Sequence, residues 1–118
     1  MKETEGNREN RRSINVLVTA SGTVTCQAVI KALRNQSLLD VELTVTDCDP
    51  RNAGRYLADR WCRVPKVSDP SYLDVLLGLV EEHHIGLFIP IFDLEFPLIA
   101  RERRRFEALG CQVAISSP

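Results

Sequence analysis

Four stretches of this 118-residue chain end an apolar run in a polar or acidic tip: INVLVTA before SGT, VELTVT before DCDP, GLFIPI before FDLE, and QVAIS before SP. Near-continuous runs of Val, Ile and Leu mark parallel strands buried on both faces. The segments between them follow a helical period. Cys26, Val29, Ile30 and Leu33 recur at i, i+3, i+4 and i+7, one face of a helix that Asn35 can stop. Leu73, Leu76, Leu77 and Val80 form a second stripe behind Asp69-Pro70, read as cap and first helical residue. A third helix is expected over about 95–109. Pro97 must lie in its first turn, since it has no N–H to donate deeper in, and Gly110 ends it.

The strands are expected at 14–20, 41–46, 62–64, 86–91 and 112–115, with a short helical turn around Gly54. Pro90 predicts a missing ladder bond near the end of the fourth. Strands alternating with helices imply right-handed crossovers and a parallel sheet. The fold class is α/β: a three-layer Rossmann-like open sheet of about five strands, order 3-2-1-4-5. Residues 1–13 are polar and read as a disordered, solvated tail, and 14–118 as one domain.

Composition excludes several function classes. A formal net charge of −1 supplies no field to gather nucleic acid or an acidic membrane surface. No apolar run approaches the roughly 20 residues of a bilayer span, and the N-terminus lacks the apolar segment of a secretory signal. A cytoplasmic location is the expectation. Cys26, Cys48, Cys62 and Cys111 form no C-x-x-C pair and lie near no histidine in sequence. They read as small buried hydrophobes in a reducing compartment, and no metal site is expected.

In open α/β sheets ligands bind beyond the carboxyl ends of the strands, so chemistry is sought at the polar tips. Ser21, Gly22 and Thr23 form the first strand–helix turn. They read either as an anion-binding helix start or as a plain Ser/Thr cap, and the G-x-G-x-x-G of a dinucleotide turn is missing. Asp47 ends the second strand. It reads as an acceptor for ribose hydroxyls or, with Asp49, as turn chemistry. Asp93 and Glu95 follow a central strand beside the topological switch point, and are the acids singled out for touching substrate. As charges at a helix start each would add only about 0.3–1 kcal/mol. His83-His84 and the run from Arg101 to Arg105 suit helix C-terminal ends. No nucleophile–base constellation is present, so no catalytic residue is assigned.

Taken together, INVLVTASGTVTCQAVIKAL, TVTDCDPRNAGRYLADRWCRVP, DPSYLDVLLGLVEEHHIGLFIPIFDLEFPLIA and FEALGCQVAISSP resemble the N-terminal, pre-ATP-grasp domain of carbamoyl-phosphate-synthase-like ATP-grasp ligases. The acid-Pro loop, A-G-R-Y-L-A-D and P-I-F-D-L-E-F-P are the more specific parts. The resemblance implies a domain that is inactive alone and helps to close the substrate site of an ATP-dependent carboxylate–amine ligase. Its partners would be a downstream ATP-grasp domain of the same polypeptide, a small carboxylate or bicarbonate, and an amine. ATP and Mg2+ would belong to the full-length protein, with no cofactor in this chain. The loops carried over hold Ser21, Gly22, Thr23, Asp47, Asp49, Asp93 and Glu95. The chain departs from the family where a glycine-rich first loop is replaced by SGTVT, and where Ile91-Phe92 precede Asp93 in place of Gly. It reads as an excised or truncated domain without the catalytic ATP-grasp portion. The alternatives are an NAD(P)- or nucleotide-binding Rossmann domain and a non-catalytic regulatory module.

Overall fold

A computed structural model describes residues 12–115, so the expected tail lies almost wholly outside the described residues. The strands are β1 (Arg12–Val18), β2 (Leu39–Asp47), β3 (Arg60–Arg63), β4 (Leu87–Ile89) and β5 (Gln112–Val113). The helices are α1 (Val24–Asn35), α2 (Tyr72–Glu82), α3 (Phe96–Arg101) and α4 (Arg103–Ala108), with 3-10 turns at Gly54–Tyr56 and Asp93–Glu95. All strand pairs are parallel, and the order is β3-β2-β1-β4-β5 as expected. The result is a Rossmann-like α/β fold.

Alternation along the strands sorts the core into two layers. Val16, Val18, Leu43 and Val45 face α1, where Cys26 and Ile30 meet them. Leu17 and Phe88 face the opposite side, against Tyr72, Leu76 and Val80 of α2, Ile99 of α3 and Phe106 of α4. Phe88 and Phe106 pack at 5.3 Å between ring centroids, a tilted aromatic pair. Each such ring, fully buried, contributes on the order of 2–3 kcal/mol.

The departures from expectation have local causes. The segment expected as one helix over 95–109 is a 3-10 turn followed by α3 and α4, with a break at Glu102. Pro97 does sit in the first turn of α3, and Gly110 closes α4 at φ 82°, a conformation open to glycine. α2 starts at Tyr72, after the Asp69-Pro70 pair. The Asp69 carboxylate accepts from Ser71 N and Ser71 Oγ, so Asp-Pro-Ser makes a turn ahead of the helix. β4 stops at Ile89, before Pro90. The Ile91 N–H donates instead to Thr19 Oγ1 at 3.0 Å. β3 begins earlier than expected, at Arg60, whose guanidinium reaches Thr44 Oγ1 and Glu42.

Two positions set the connections at the strand ends. Ala20 leaves β1 at φ 56°, a left-handed conformation that costs a non-glycine residue about 1 kcal/mol or more. Gly54 packs against that same turn, and a Cβ built there would lie 2.0 Å from Ser21 O. Gly54→Ala should therefore cost about 3 kcal/mol in urea unfolding, through forced displacement of backbone. Gly78→Ala, in the middle of α2 with nothing within 4 Å of the added methyl, should instead gain about 0.5–1 kcal/mol. Equal effects of the two changes would refute the close approach.

Candidate functional site

Two loops are laced together at the carboxyl end of β1 and β2. Thr23 caps α1: its hydroxyl accepts from Cys26 N at 3.1 Å and donates to Ala20 O at 2.8 Å. Ser21 N donates to Thr46 O at 2.9 Å, and its buried hydroxyl donates to Asn52 Oδ1 at 2.8 Å. Gly22 N donates to Asp47 Oδ2 at 2.9 Å, and Asp49 N to Asp47 Oδ1 at 3.0 Å. Asn52 also accepts from Arg55 N and donates to Asp49 O. The structure thus gathers Ser21, Gly22, Thr23, Asp47 and Asp49 at one place. Asp47 uses both carboxylate oxygens on backbone N–H groups, one in each loop. Asp49 accepts from Arg51 N and Nε, and these bonds hold its carboxyl below the ordinary value. Asn52 and Gly54 belong to this knot too, and sequence reasoning saw in them only a short turn.

The acids after β4 part company. Asp93 is exposed at the start of its 3-10 turn. Glu95 is 0% exposed, turned inward against the sheet. Thr19 Oγ1 donates to Glu95 Oε1 at 2.7 Å, and Tyr72 OH to Glu95 Oε2 at 2.6 Å. Thr19 lies just past β1 and Tyr72 opens α2, so one carboxyl joins elements that are remote in sequence. Its place is therefore a buried junction rather than a solvated charge at a helix start. Burial raises the Glu95 carboxyl above its ordinary value, while the hydroxyl donors pull the other way. The Tyr72 phenol is also raised, first by burial and then by the adjacent Glu95.

Beside this junction a cleft of about 790 Å³ opens on the α2–α3 face of the sheet. Val64, Val67, Pro97 and Leu98 line its sides, and Thr46, Tyr72 and Glu95 lie at its floor. The Thr46 hydroxyl is buried and has no hydrogen-bond partner among the described residues. Lys66 and Arg101 belong to its lining as well. None of Thr46, Lys66, Tyr72 or Arg101 carries a motif that would have announced the cleft. They come from separate segments, and only the fold brings them together.

Other singled-out residues have structural places. Asn15 Nδ2 donates to His83 O and His84 O, and His84 ends the α2 region at φ 52°. Arg103 donates to Val113 O and Ile115 O, securing β5. The cysteines are free thiols, Cys26 and Cys111 buried and raised to about 12 and about 11 by desolvation, whereas Cys48 is exposed. Among the described residues no group of three or more His, Cys, Asp or Glu is placed to hold a metal ion. No helix of the described residues is long and apolar enough to cross a membrane.

A family model described as the PylC-like N-terminal domain matches residues 16–114. Among solved structures the chain is similar to a single-chain, multi-domain long-chain acyl-CoA carboxylase, with TM-score 0.63 and 17% identity, over 84% of this chain and 10% of that one. It is also similar to apo saccharopine dehydrogenase (L-Glu forming) from Saccharomyces cerevisiae, with TM-score 0.59 and 21% identity, over 89% of this chain and 22% of that one. The chain therefore spans about a tenth and about a fifth of those two proteins, and the likeness is one of fold. No match was found among curated proteins.

The buried carboxyl gives stability a pH dependence whose sign follows from its raised value. A carboxyl that holds its proton more tightly when folded favours the folded state at low pH. That contribution is lost as pH rises from the ordinary 4.5 through the raised value. Glu95→Gln should flatten the fall in melting temperature across this window, and superimposable wild-type and variant curves would refute it. Tyr72→Phe should cost about 1–3 kcal/mol in urea unfolding, by leaving one oxygen of the buried Glu95 carboxyl without its donor.

Proposed function

This chain belongs to the PylC-like N-terminal domain family, and from that premise we propose that it forms one wall of the substrate site of an ATP-dependent carboxylate–amine ligase. The family is that of N-terminal domains of ATP-grasp ligases. In this reading a following ATP-grasp domain of the same cytoplasmic polypeptide covers the carboxyl edge of the sheet. The observation that carries the proposal is the exposed apolar surface there. Val24, Tyr56, Phe92 and Leu94, each in a segment that follows a strand, are 83%, 81%, 41% and 71% exposed. Large apolar side chains left in water along one edge suit burial against a second domain.

ATP and Mg2+ are assigned in this reading to that second domain, as the family resemblance implies. Asp93 stands exposed, and among the described residues no group of three or more His, Cys, Asp or Glu gathers around it. When bound next door, the nucleotide would activate a small carboxylate or bicarbonate as an acyl phosphate for attack by an amine. The role of this chain is to position and enclose. Ser21, Gly22, Thr23, Asp47 and Asp49 hold the loops in shape through their own hydrogen bonds, and the exposed Asp93 is the acid free to face substrate. The nicotinamide reading draws less support, because Asp47 is already committed to Gly22 N and Asp49 N.

The test compares the chain alone with the chain continued by its ATP-grasp domain. Alone, it should release no phosphate from ATP above a matched control. In the continued protein Asp93→Asn should lower ligase turnover at least about tenfold, about 1.4 kcal/mol of barrier. In the isolated chain the same change should cost no more than ~1 kcal/mol of stability. ATP hydrolysis by the isolated chain, or full turnover in the Asp93→Asn protein, would overturn the assignment.

A further inference from the structure

The cleft between α2 and α3 has features that the proposed enclosing role does not use. Its volume, about 790 Å³, is that of a small-molecule site, and its sides are apolar with a few polar groups converging on it. Lys66 is exposed at the cleft, and its ammonium makes no ion pair with any described residue. Arg101 is exposed too, held among the described residues only by a loose contact of 3.9 Å to its neighbour Glu102. Each cation can therefore turn to a ligand without breaking a strong pair. At the floor the Thr46 hydroxyl is buried and unpartnered, a second and independent sign that a group from outside is missing.

Charge narrows the class of ligand. Asp47 and Glu95 also line the cleft, and would disfavour an anion of high charge. Two adjustable cations against an apolar interior suit a monoanion with an apolar body, and a guanidinium matches the planar geometry of a carboxylate. We propose that the cleft binds a small amphipathic carboxylic acid, its apolar body between Val64, Val67, Pro97 and Leu98 and its carboxylate taken by Lys66 and Arg101. The cleft shares Phe92 and Leu94 with the edge given above to a second domain, so the proposal deepens that reading; it is tested on this chain alone, where its failure is distinguishable from failure of the ligase assignment.

The experiment is a titration of the 118-residue chain, followed by backbone amide NMR shifts, with 3-phenylpropionate, the neutral 3-phenylpropanamide and acetate as probes. The expected result is saturable shifts at Val67, Leu98 and their neighbours with 3-phenylpropionate, weaker binding of the amide, and no saturation with acetate. Lys66→Gln and Arg101→Gln lie at exposed positions and should fold normally. Each should weaken binding of the acid about three- to tenfold and leave the amide unchanged. The proposal is overturned if acid and amide bind alike, if acetate binds as well as 3-phenylpropionate, if neither substitution alters the acid, or if the shifts map elsewhere.

Discussion

The carboxyl of Glu95 is the constraint around which the carboxyl edge of the sheet is organised. It is fully buried and receives hydroxyls from Thr19, just past β1, and Tyr72, at the start of α2. Thr19 in turn accepts from Ile91 N, the donor displaced from the ladder where Pro90 ends β4. The exits of the central strands β1 and β4 and the entry of α2 are thus fastened to one polar centre. A buried carboxyl is costly unless its hydrogen bonds are made. Satisfied in this way, it sets the relative positions of the segments that border the cleft. Its raised affinity for a proton is the electrostatic trace of that burial.

A second knot fixes the other half of the edge. Asp47 receives Gly22 N and Asp49 N, Ser21 donates to Asn52, and Gly54 lies so close to Ser21 O that no side chain fits. These contacts are made within the loops, so the loops hold their shape without a ligand. The strain at Ala20, a left-handed residue that is not glycine, is sustained by the bonds on either side of it: Ser21 N to Thr46 O and Thr23 to Ala20 O. A family pattern richer in glycine at this turn would meet the same geometry without that strain.

Between the two knots the edge presents different chemistry on different sides. Val24 and Tyr56 stand exposed outside the cleft, whereas Phe92 and Leu94 border it, with Lys66 and Arg101 also at its lining. The exposed apolar edge and the cleft thus meet at Phe92 and Leu94. The Arg101–Arg105 run illustrates how residues alike in sequence diverge in place. Arg101 borders the cleft, Arg103 secures the carbonyls at and after β5, and Arg105 lies 3.7 Å from Asp74 on α2.

The sequence by itself determined the strand number, the strand order and the stripes of α1 and α2, because burial on both faces writes apolar runs and burial on one face writes a helical period. It also placed Pro97 and the Gly110 stop, since the backbone chemistry of Pro and Gly is local. It also set the candidate acids at the carboxyl ends of strands for the same reason. What only the tertiary structure decided was their surroundings. Asp93 and Glu95 are two residues apart and look alike in sequence, yet one is in water and the other is sealed between Thr19 and Tyr72. The break at Glu102, the role of Gly54 and the assembly of Thr46, Lys66 and Arg101 around one cleft were likewise invisible. Desolvation and hydrogen bonding between segments far apart in the chain depend on where the fold sets those segments, and no local pattern carries that information.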